Sequence, residues 1–119
     1  MASTVPLDIS YADLKALLEK NQGVFLVDVR SKEEVDRGRI PGSINIPLDT
    51  VEAALKMDPA DFTHKYGISK PPLDAPHLVF HCQMGRRGAV ARDKARQLGY
   101  VSAQNYPGAY SEWAAKTKK

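Results

Sequence analysis

Apolar residues follow two alternating patterns along this chain. Two short runs, 24–29 and 78–81, are almost continuous in valine, leucine and phenylalanine, as in strands covered on both faces. Shorter segments at 43–46 and 103–106, and the residues around Val5, are consistent with further strands. Elsewhere apolar residues recur every three or four positions, as on one face of a helix. Because strands and helices alternate, the pattern predicts an α/β fold. We expect a central parallel sheet of about five strands with helices on both faces.

Capping residues mark where the helices begin. Ser31 and Glu34 have the spacing of a capping box, and Ser10 with Asp13 resembles one. Residues 21–23 end the first helical pattern with a glycine. The predicted helices begin at about Ser10, Ser31, Asp49, Asp58, Gly88 and Ala109.

Three polar or reactive residues stand where predicted strands end. Asp28 and Arg30 come at the end of the first apolar run, and Cys82 follows the run at 78–81. Ligands of parallel sheets lie beyond the carboxyl ends of the strands, so these residues should meet at one edge. We expect Asp28 and Arg30 to form a structural pair there. Glu34 is then expected to accept from Arg30 across the first helical turn.

Composition limits the classes of protein to consider. A length of 119 residues predicts one domain over 1–119, and the lysines at 116–119 form a short basic tail. The net charge of +3 is mild and forms no basic stripe, so we expect no nucleic-acid partner. The sequence contains no Cys/His cluster with the spacing of metal ligands, so we expect the protein to bind no metal and no cofactor. No apolar run is long enough for a bilayer, and the amino terminus resembles neither a secretory signal nor a transit peptide. We therefore expect a monomer in the cytoplasm.

The chain contains one cysteine, in the segment His81-Cys82-Gln83-Met84-Gly85-Arg86-Arg87-Gly88. A lone cysteine forms no internal disulfide and is most often a buried hydrophobic residue. Here it lies between a strand and a helix N-terminus, where successive backbone N–H groups and two arginines stabilise an anion. A reactive thiolate is the better interpretation.

The length of the loop also indicates which group it binds. Arg87 follows Cys82 after four residues, one fewer than in tyrosine phosphatases, and a smaller loop favours a sulfur atom over a phosphate. At least one of Arg86 and Arg87 is expected to bind an anionic substrate and the other to be structural, and the sequence does not distinguish them. His81 is interpreted as structural because adjacent strand residues face opposite sides.

Three segments resemble the single-domain rhodaneses, a family of thiosulfate sulfurtransferases. They are Leu26-Val27-Asp28-Val29-Arg30 with the Ile40-Pro41-Gly42 turn, the loop 82–87, and Asn105-Tyr106-Pro107-Gly108-Ala109 with the residues to Trp113. The Gln-Met-Gly loop most resembles the small animal enzymes that pass sulfur to glutathione. The resemblance implies a rhodanese-like fold with its core at about 5–115, and Cys82 as the nucleophile that becomes a persulfide. It also implies that Gln83, Met84, Gly85, Arg86, Arg87 and Gly88 bind the substrate.

The resemblance implies thiosulfate as the donor and an external acceptor. Glutathione, cyanide and a thioredoxin-like protein are candidate acceptors, because the chain has no second cysteine to resolve a persulfide. One alternative is a non-catalytic persulfide carrier or partner-binding module. A phosphatase or arsenate reductase is a further alternative, which the loop length disfavours.

Overall fold

A computed structural model of the chain describes residues 7–20, 24–75 and 77–117. The elements in chain order are α1 (Tyr11–Lys20), β1 (Phe25–Asp28), α2 (Lys32–Asp36), β2 (Ile44–Asn45), α3 (Leu48–Lys56), α4 (Pro59–Tyr66), β3 (Leu78–His81), α5 (Arg86–Gln97), β4 (Gln104–Asn105) and α6 (Ala109–Thr117). The predicted strand around Val5 and the predicted helix stop at 21–23 lie outside the described residues. None of the described helices is long and apolar enough to cross a membrane.

The strands form one parallel sheet in the order β2-β1-β3-β4. The two longest strands, β1 and β3, pair along four residues at its centre. About five strands were expected, and the described residues contain four. An isolated parallel bridge between Asp8 and Asn105 adds a further chain segment beside β4, next to the region of the expected edge strand.

Side chains of the two central strands alternate between two buried clusters, one on each face of the sheet. Val27 and Phe80 belong to the cluster that includes residues of α3, α4 and α5. Leu26 and Val79 belong to the cluster that includes Leu14 of α1, with residues of α6 packed against it. Successive strand residues point to opposite faces, so nearly continuous apolar runs are what a doubly covered sheet requires. The predicted α/β architecture is confirmed.

The first turn of α2 is fixed by the predicted capping box. The Glu34 N–H donates to Ser31 Oγ at 3.3 Å, and the Ser31 N–H donates to Glu34 Oε1 at 3.1 Å. The second predicted box is half formed, since the Asp13 N–H donates to Ser10 Oγ. The α2 box places Glu34 immediately after the carboxyl end of β1, close to the expected site.

Helix α5 lies unusually close to the sheet at its first turn. A Cβ atom on Gly88 would overlap Asn105 Oδ1 and would lie 3.0 Å from His81 Cα. Only glycine therefore lets the helix pack directly over the ends of β3 and β4. This contact positions the segment between Cys82 and α5.

Candidate active site

Cys82 lies at the carboxyl end of β3, and only 1% of its surface is exposed. Its sulfur accepts a hydrogen bond from the Gly85 N–H, with 2.9 Å between N and Sγ. The chain therefore turns back over the sulfur within three residues. The thiol is free, as a lone cysteine must be.

Gly85 makes this turn possible. Its φ of 101° lies in the left-handed region, and a Cβ atom would lie 2.6 Å from the carbonyl oxygen of Pro107. The residue is also the N-cap of α5 and provides no side-chain cap. The N–H groups of the first helical turn therefore remain available to a ligand.

The carbonyl groups of the loop are bound on its outer side. The Tyr110 N–H at the start of α6 donates to Cys82 O at 2.9 Å, and the Ser111 N–H donates to Gln83 O at 3.2 Å. Asn105 Nδ2 donates to Gly85 O at 3.2 Å. The loop is thus held by the first turn of α6 and by β4.

Peptide planarity makes these three contacts orient the N–H groups as well. In a trans peptide the carbonyl of one residue and the N–H of the next point in opposite directions. The N–H groups of Gln83, Met84 and Arg86 therefore point away from α6 and β4. Within residues 7–20, 24–75 and 77–117, these three N–H groups and those of Arg87 and Gly88 have no acceptor. Together they form a site for an anion next to the sulfur.

Arg30 connects the loop to the sheet and to α6. It is 1% exposed, and its Nε and Nη2 both donate to the Asp28 carboxylate, with the shortest distance 2.7 Å. Nη1 donates to Gln83 Oε1 at 3.1 Å, and the guanidinium lies 4.3 Å from the ring centre of Tyr110. The predicted Asp28–Arg30 pair is present, and it braces the loop as well as the strand end.

Glu34 binds Arg87, and the expected contact with Arg30 was wrong. Arg87 Nη1 and Nη2 donate to the two carboxylate oxygens of Glu34 at 2.8 and 2.9 Å. Each of the three guanidinium nitrogens of Arg30 already donates to Asp28, Gln83 or the carbonyl of Gly38, and Glu34 instead binds Arg87 in the first turn of α5.

The ion pair shifts the pKa values of both side chains, and each shift favours the charged form. The hydrogen bonds from Arg87 lower the pKa of Glu34 from 4.5 to about 2. The same bonds raise the pKa of the Arg87 guanidinium above its ordinary value. Arg87 is therefore a neutralised, structural cation.

Arg86 is arranged differently from Arg87. Its side chain is exposed at the first position of α5, and no ion pair or hydrogen bond engages it within the described part of the chain. Met84, at the tip of the loop, is 75% exposed. Of the two loop arginines, Arg86 is the one whose charge faces solvent without an acidic partner.

His81 precedes Cys82, but its ring makes no hydrogen bond to the described residues. The ring is fully buried, with Nε2 3.9 Å from Asp28 Oδ2. Burial lowers the pKa of His81, so the ring is held neutral in the core. The geometry agrees with the structural role expected from the sequence.

Comparison with known proteins identifies the family of this chain. A model of the rhodanese-like domain matches residues 10–116. The chain belongs to this family. As a rhodanese it is 50% identical over 108 residues to human thiosulfate:glutathione sulfurtransferase, covering 91% of this chain and 93% of the relative. It is 37% identical to the Saccharomyces cerevisiae thiosulfate:glutathione sulfurtransferase, covering 89% of this chain and 76% of that protein.

Solved structures give the same assignment of fold. A human single-domain sulfurtransferase superposes on this rhodanese with a TM-score of 0.91 at 48% identity, covering 95% of this chain and 99% of the other. The resemblance inferred from the three sequence segments is confirmed, and so is the rhodanese fold.

Sequence patterns did not indicate how the rhodanese loop is held. Tyr110 and Ser111 act through backbone N–H groups, which carry no side-chain signature. Asn105 did offer a signature, because an amide in a short buried strand needs a hydrogen-bond partner.

The Glu34–Arg87 pair predicts a specific acid dependence of stability. A carboxyl whose folded pKa is depressed stabilises the fold fully above its ordinary pKa and loses this effect as the pH falls towards the folded value. Glu34→Gln retains a capping-box residue and removes the charge. We expect the variant to be less stable by about 1 kcal/mol at neutral pH, as for a partly exposed pair. The difference should disappear between pH 4.5 and about 2. Urea unfolding across this range measures it.

Glu33→Gln is the matched control, because Glu33 lies in the same turn and is exposed. It should leave the free energy of unfolding within a few tenths of a kcal/mol of wild type. Equal effects of the two substitutions at neutral pH would contradict a role for the ion pair.

Proposed function

We propose that this protein is a thiosulfate sulfurtransferase that carries sulfur on Cys82 and passes it to glutathione. The observation that supports this most strongly is the arrangement of loop N–H groups around a buried sulfur at a helix N-terminus. The names of the human and yeast relatives supply the donor and acceptor of those proteins. A cytoplasmic location and a monomeric state remain predictions from the sequence.

The first half-reaction loads the cysteine. The Cys82 thiolate attacks the outer sulfur of thiosulfate, and a bond forms between Sγ and that sulfur. The S–S bond of thiosulfate breaks, and its electron pair leaves with sulfite. The product is an anionic persulfide on Cys82, and the total charge is conserved. The loop N–H groups are placed to stabilise this anion, as donors do in an oxyanion hole.

The second half-reaction removes the outer sulfur from Cys82. The thiolate of glutathione attacks the outer sulfur of the persulfide and forms a new S–S bond. The bond to Sγ breaks, its electrons return to Cys82 as the thiolate, and glutathione persulfide leaves. An external acceptor is needed because the chain has no other cysteine. Cyanide or a thioredoxin-like protein remain candidates for the same step.

Arg86 is the cation we assign to substrate capture. Thiosulfate is a dianion, and Arg86 is an exposed cation at the N-terminus of the helix that follows the loop. Arg87 is neutralised by Glu34, and Arg30 by Asp28. A cation that keeps its charge unpaired attracts an anion over a longer distance than a paired one.

Cys82→Ser should abolish sulfite release from thiosulfate, since a hydroxyl forms no persulfide. Mass spectrometry of wild type after thiosulfate treatment should show one added sulfur atom, removed by glutathione. Circular dichroism should confirm that the variant folds. Sulfite release at the wild-type rate in the variant would contradict the proposal. Loading without turnover by glutathione or cyanide would indicate a persulfide carrier. Hydrolysis of a phosphotyrosine peptide or reduction of arsenate, lost in the variant, would favour the alternative chemistries.

Arg86→Gln should raise the KM for thiosulfate by about threefold to tenfold, the effect of one exposed charge on a dianion. The increase should shrink as salt is added, because the side chain is exposed. Steady-state sulfite release at low and high ionic strength measures it.

Arg39→Gln removes an exposed cation outside the loop and serves as the control. The assignment of Arg86 fails if the two substitutions change the KM equally, or if neither does so at low salt.

A further inference from the structure

A cleft of about 410 Å³ runs along α5 from the loop towards α3. Arg87 of the loop lines one part of it and Lys94 another, and Asp49 and Glu52 of α3 also contribute. Val29 lies in its wall and belongs to the same buried cluster as Cys82. The Val29 N–H also donates to the carbonyl of His81 at 2.9 Å, so the wall of the cleft adjoins the strand end that precedes Cys82.

We propose that this cleft binds glutathione during the second half-reaction. The inference rests on the proposed function and adds where the acceptor lies. Glutathione carries two carboxylates and one ammonium, so a site that recognises it needs charges of both signs. The cleft provides Lys94 as a cation and Asp49 and Glu52 as carboxylates, whereas Arg87 in its lining is bound to Glu34.

The charges that line the cleft are accessible to a ligand. Glu52 accepts from Lys56 at 3.2 Å and lies 4.0 Å from Lys94, and all three side chains are 40% or more exposed. Surface pairs of this kind contribute little free energy, so a ligand displaces them at small cost. Asp49 is exposed and forms no ion pair with any residue of 7–20, 24–75 or 77–117.

The distance from Lys94 to the loop suits a tripeptide. Arg87 and Lys94 are seven residues apart on α5, which corresponds to about 10 Å along the axis. Three extended residues span about 10 Å as well. We place the γ-glutamyl end near Lys94 and Asp49, and the rest of the tripeptide extends along α5 towards the loop. The cysteinyl thiol then lies between Lys94 and the loop.

A second cleft on the other side of the Glu34–Arg87 pair is a poorer match. Arg30, Glu34 and Arg37 contribute to its lining. The Glu34 carboxylate is bound by Arg87, and each guanidinium nitrogen of Arg30 is hydrogen-bonded to Asp28, Gly38 or Gln83. This cleft lacks a carboxylate free to receive an ammonium group among its lining residues.

The test compares Lys94→Gln with wild type for three acceptors of the same Cys82 persulfide. With glutathione, kcat/KM should fall about fivefold to tenfold, as expected for a lost charge-assisted hydrogen bond. With γ-glutamylcysteine, which keeps the γ-glutamyl end, the loss should be the same. With cysteinylglycine, which lacks that end, the substitution should change kcat/KM less than twofold. The reason is that removing the γ-glutamyl end and removing the Lys94 charge disrupt the same interaction.

Lys56→Gln is the matched control, since Lys56 pairs with the same Glu52 but does not line the cleft. It should leave kcat/KM for glutathione within twofold of wild type. An equal loss for all three acceptors in Lys94→Gln, or no loss with glutathione, would overturn the cleft assignment. Sulfur loading of wild-type Cys82 from thiosulfate, measured by mass, tests the proposed function separately. If loading occurs and the acceptor pattern is absent, only the cleft assignment fails.

Discussion

Hydrogen bonds from the first turn of α6 to the carbonyls of Cys82 and Gln83 are the contacts on which the site depends. A loop of six residues has two ways to present its peptide groups, with carbonyls or with N–H groups towards the sulfur. Binding the carbonyls from outside selects the second way, because a planar peptide turns its N–H in the opposite direction. Without this constraint, carbonyl oxygens facing an anionic persulfide would repel it. Helix α6 is therefore part of the proposed catalytic site, to which it contributes main-chain N–H groups.

The three arginines near the loop have different electrostatic roles because their partners differ. Arg30 is buried and held by Asp28, so it acts as a rigid brace that also fixes Gln83. Arg87 is held by Glu34 and joins α5 to α2. Only Arg86 presents a charge that no acid within the described ranges neutralises. The site thus keeps positive charge at its entrance and places neutral N–H donors around the sulfur. This arrangement suits a substrate that arrives as a dianion and leaves one sulfur behind.

Local patterns predicted the parts of the fold that depend on local physics. The buried runs at β1 and β3, the capping box of α2 and the Asp28–Arg30 pair all involve residues within a few positions of one another or a simple period. The partner of Glu34 was predicted wrongly, because helical spacing offered Arg30 while the true partner lies 53 residues away. The hydrogen bonds from α6 to the loop carbonyls were not predicted, because they use main-chain N–H groups. Which of Arg86 and Arg87 is structural depends on the tertiary position of Glu34, and the sequence alone does not specify that position.

The claim that the loop N–H groups receive the persulfide is tested most directly by amide chemical shifts. Two-dimensional ¹⁵N–¹H spectra are recorded before and after one equivalent of thiosulfate, with mass spectrometry to confirm the added sulfur. The largest changes should occur at Gln83, Met84, Arg86, Arg87 and Gly88. The amides of Tyr110 and Ser111, which remain bound to carbonyls, should change much less. Complete sulfur addition to Cys82 with these five loop amides unmoved would contradict the account.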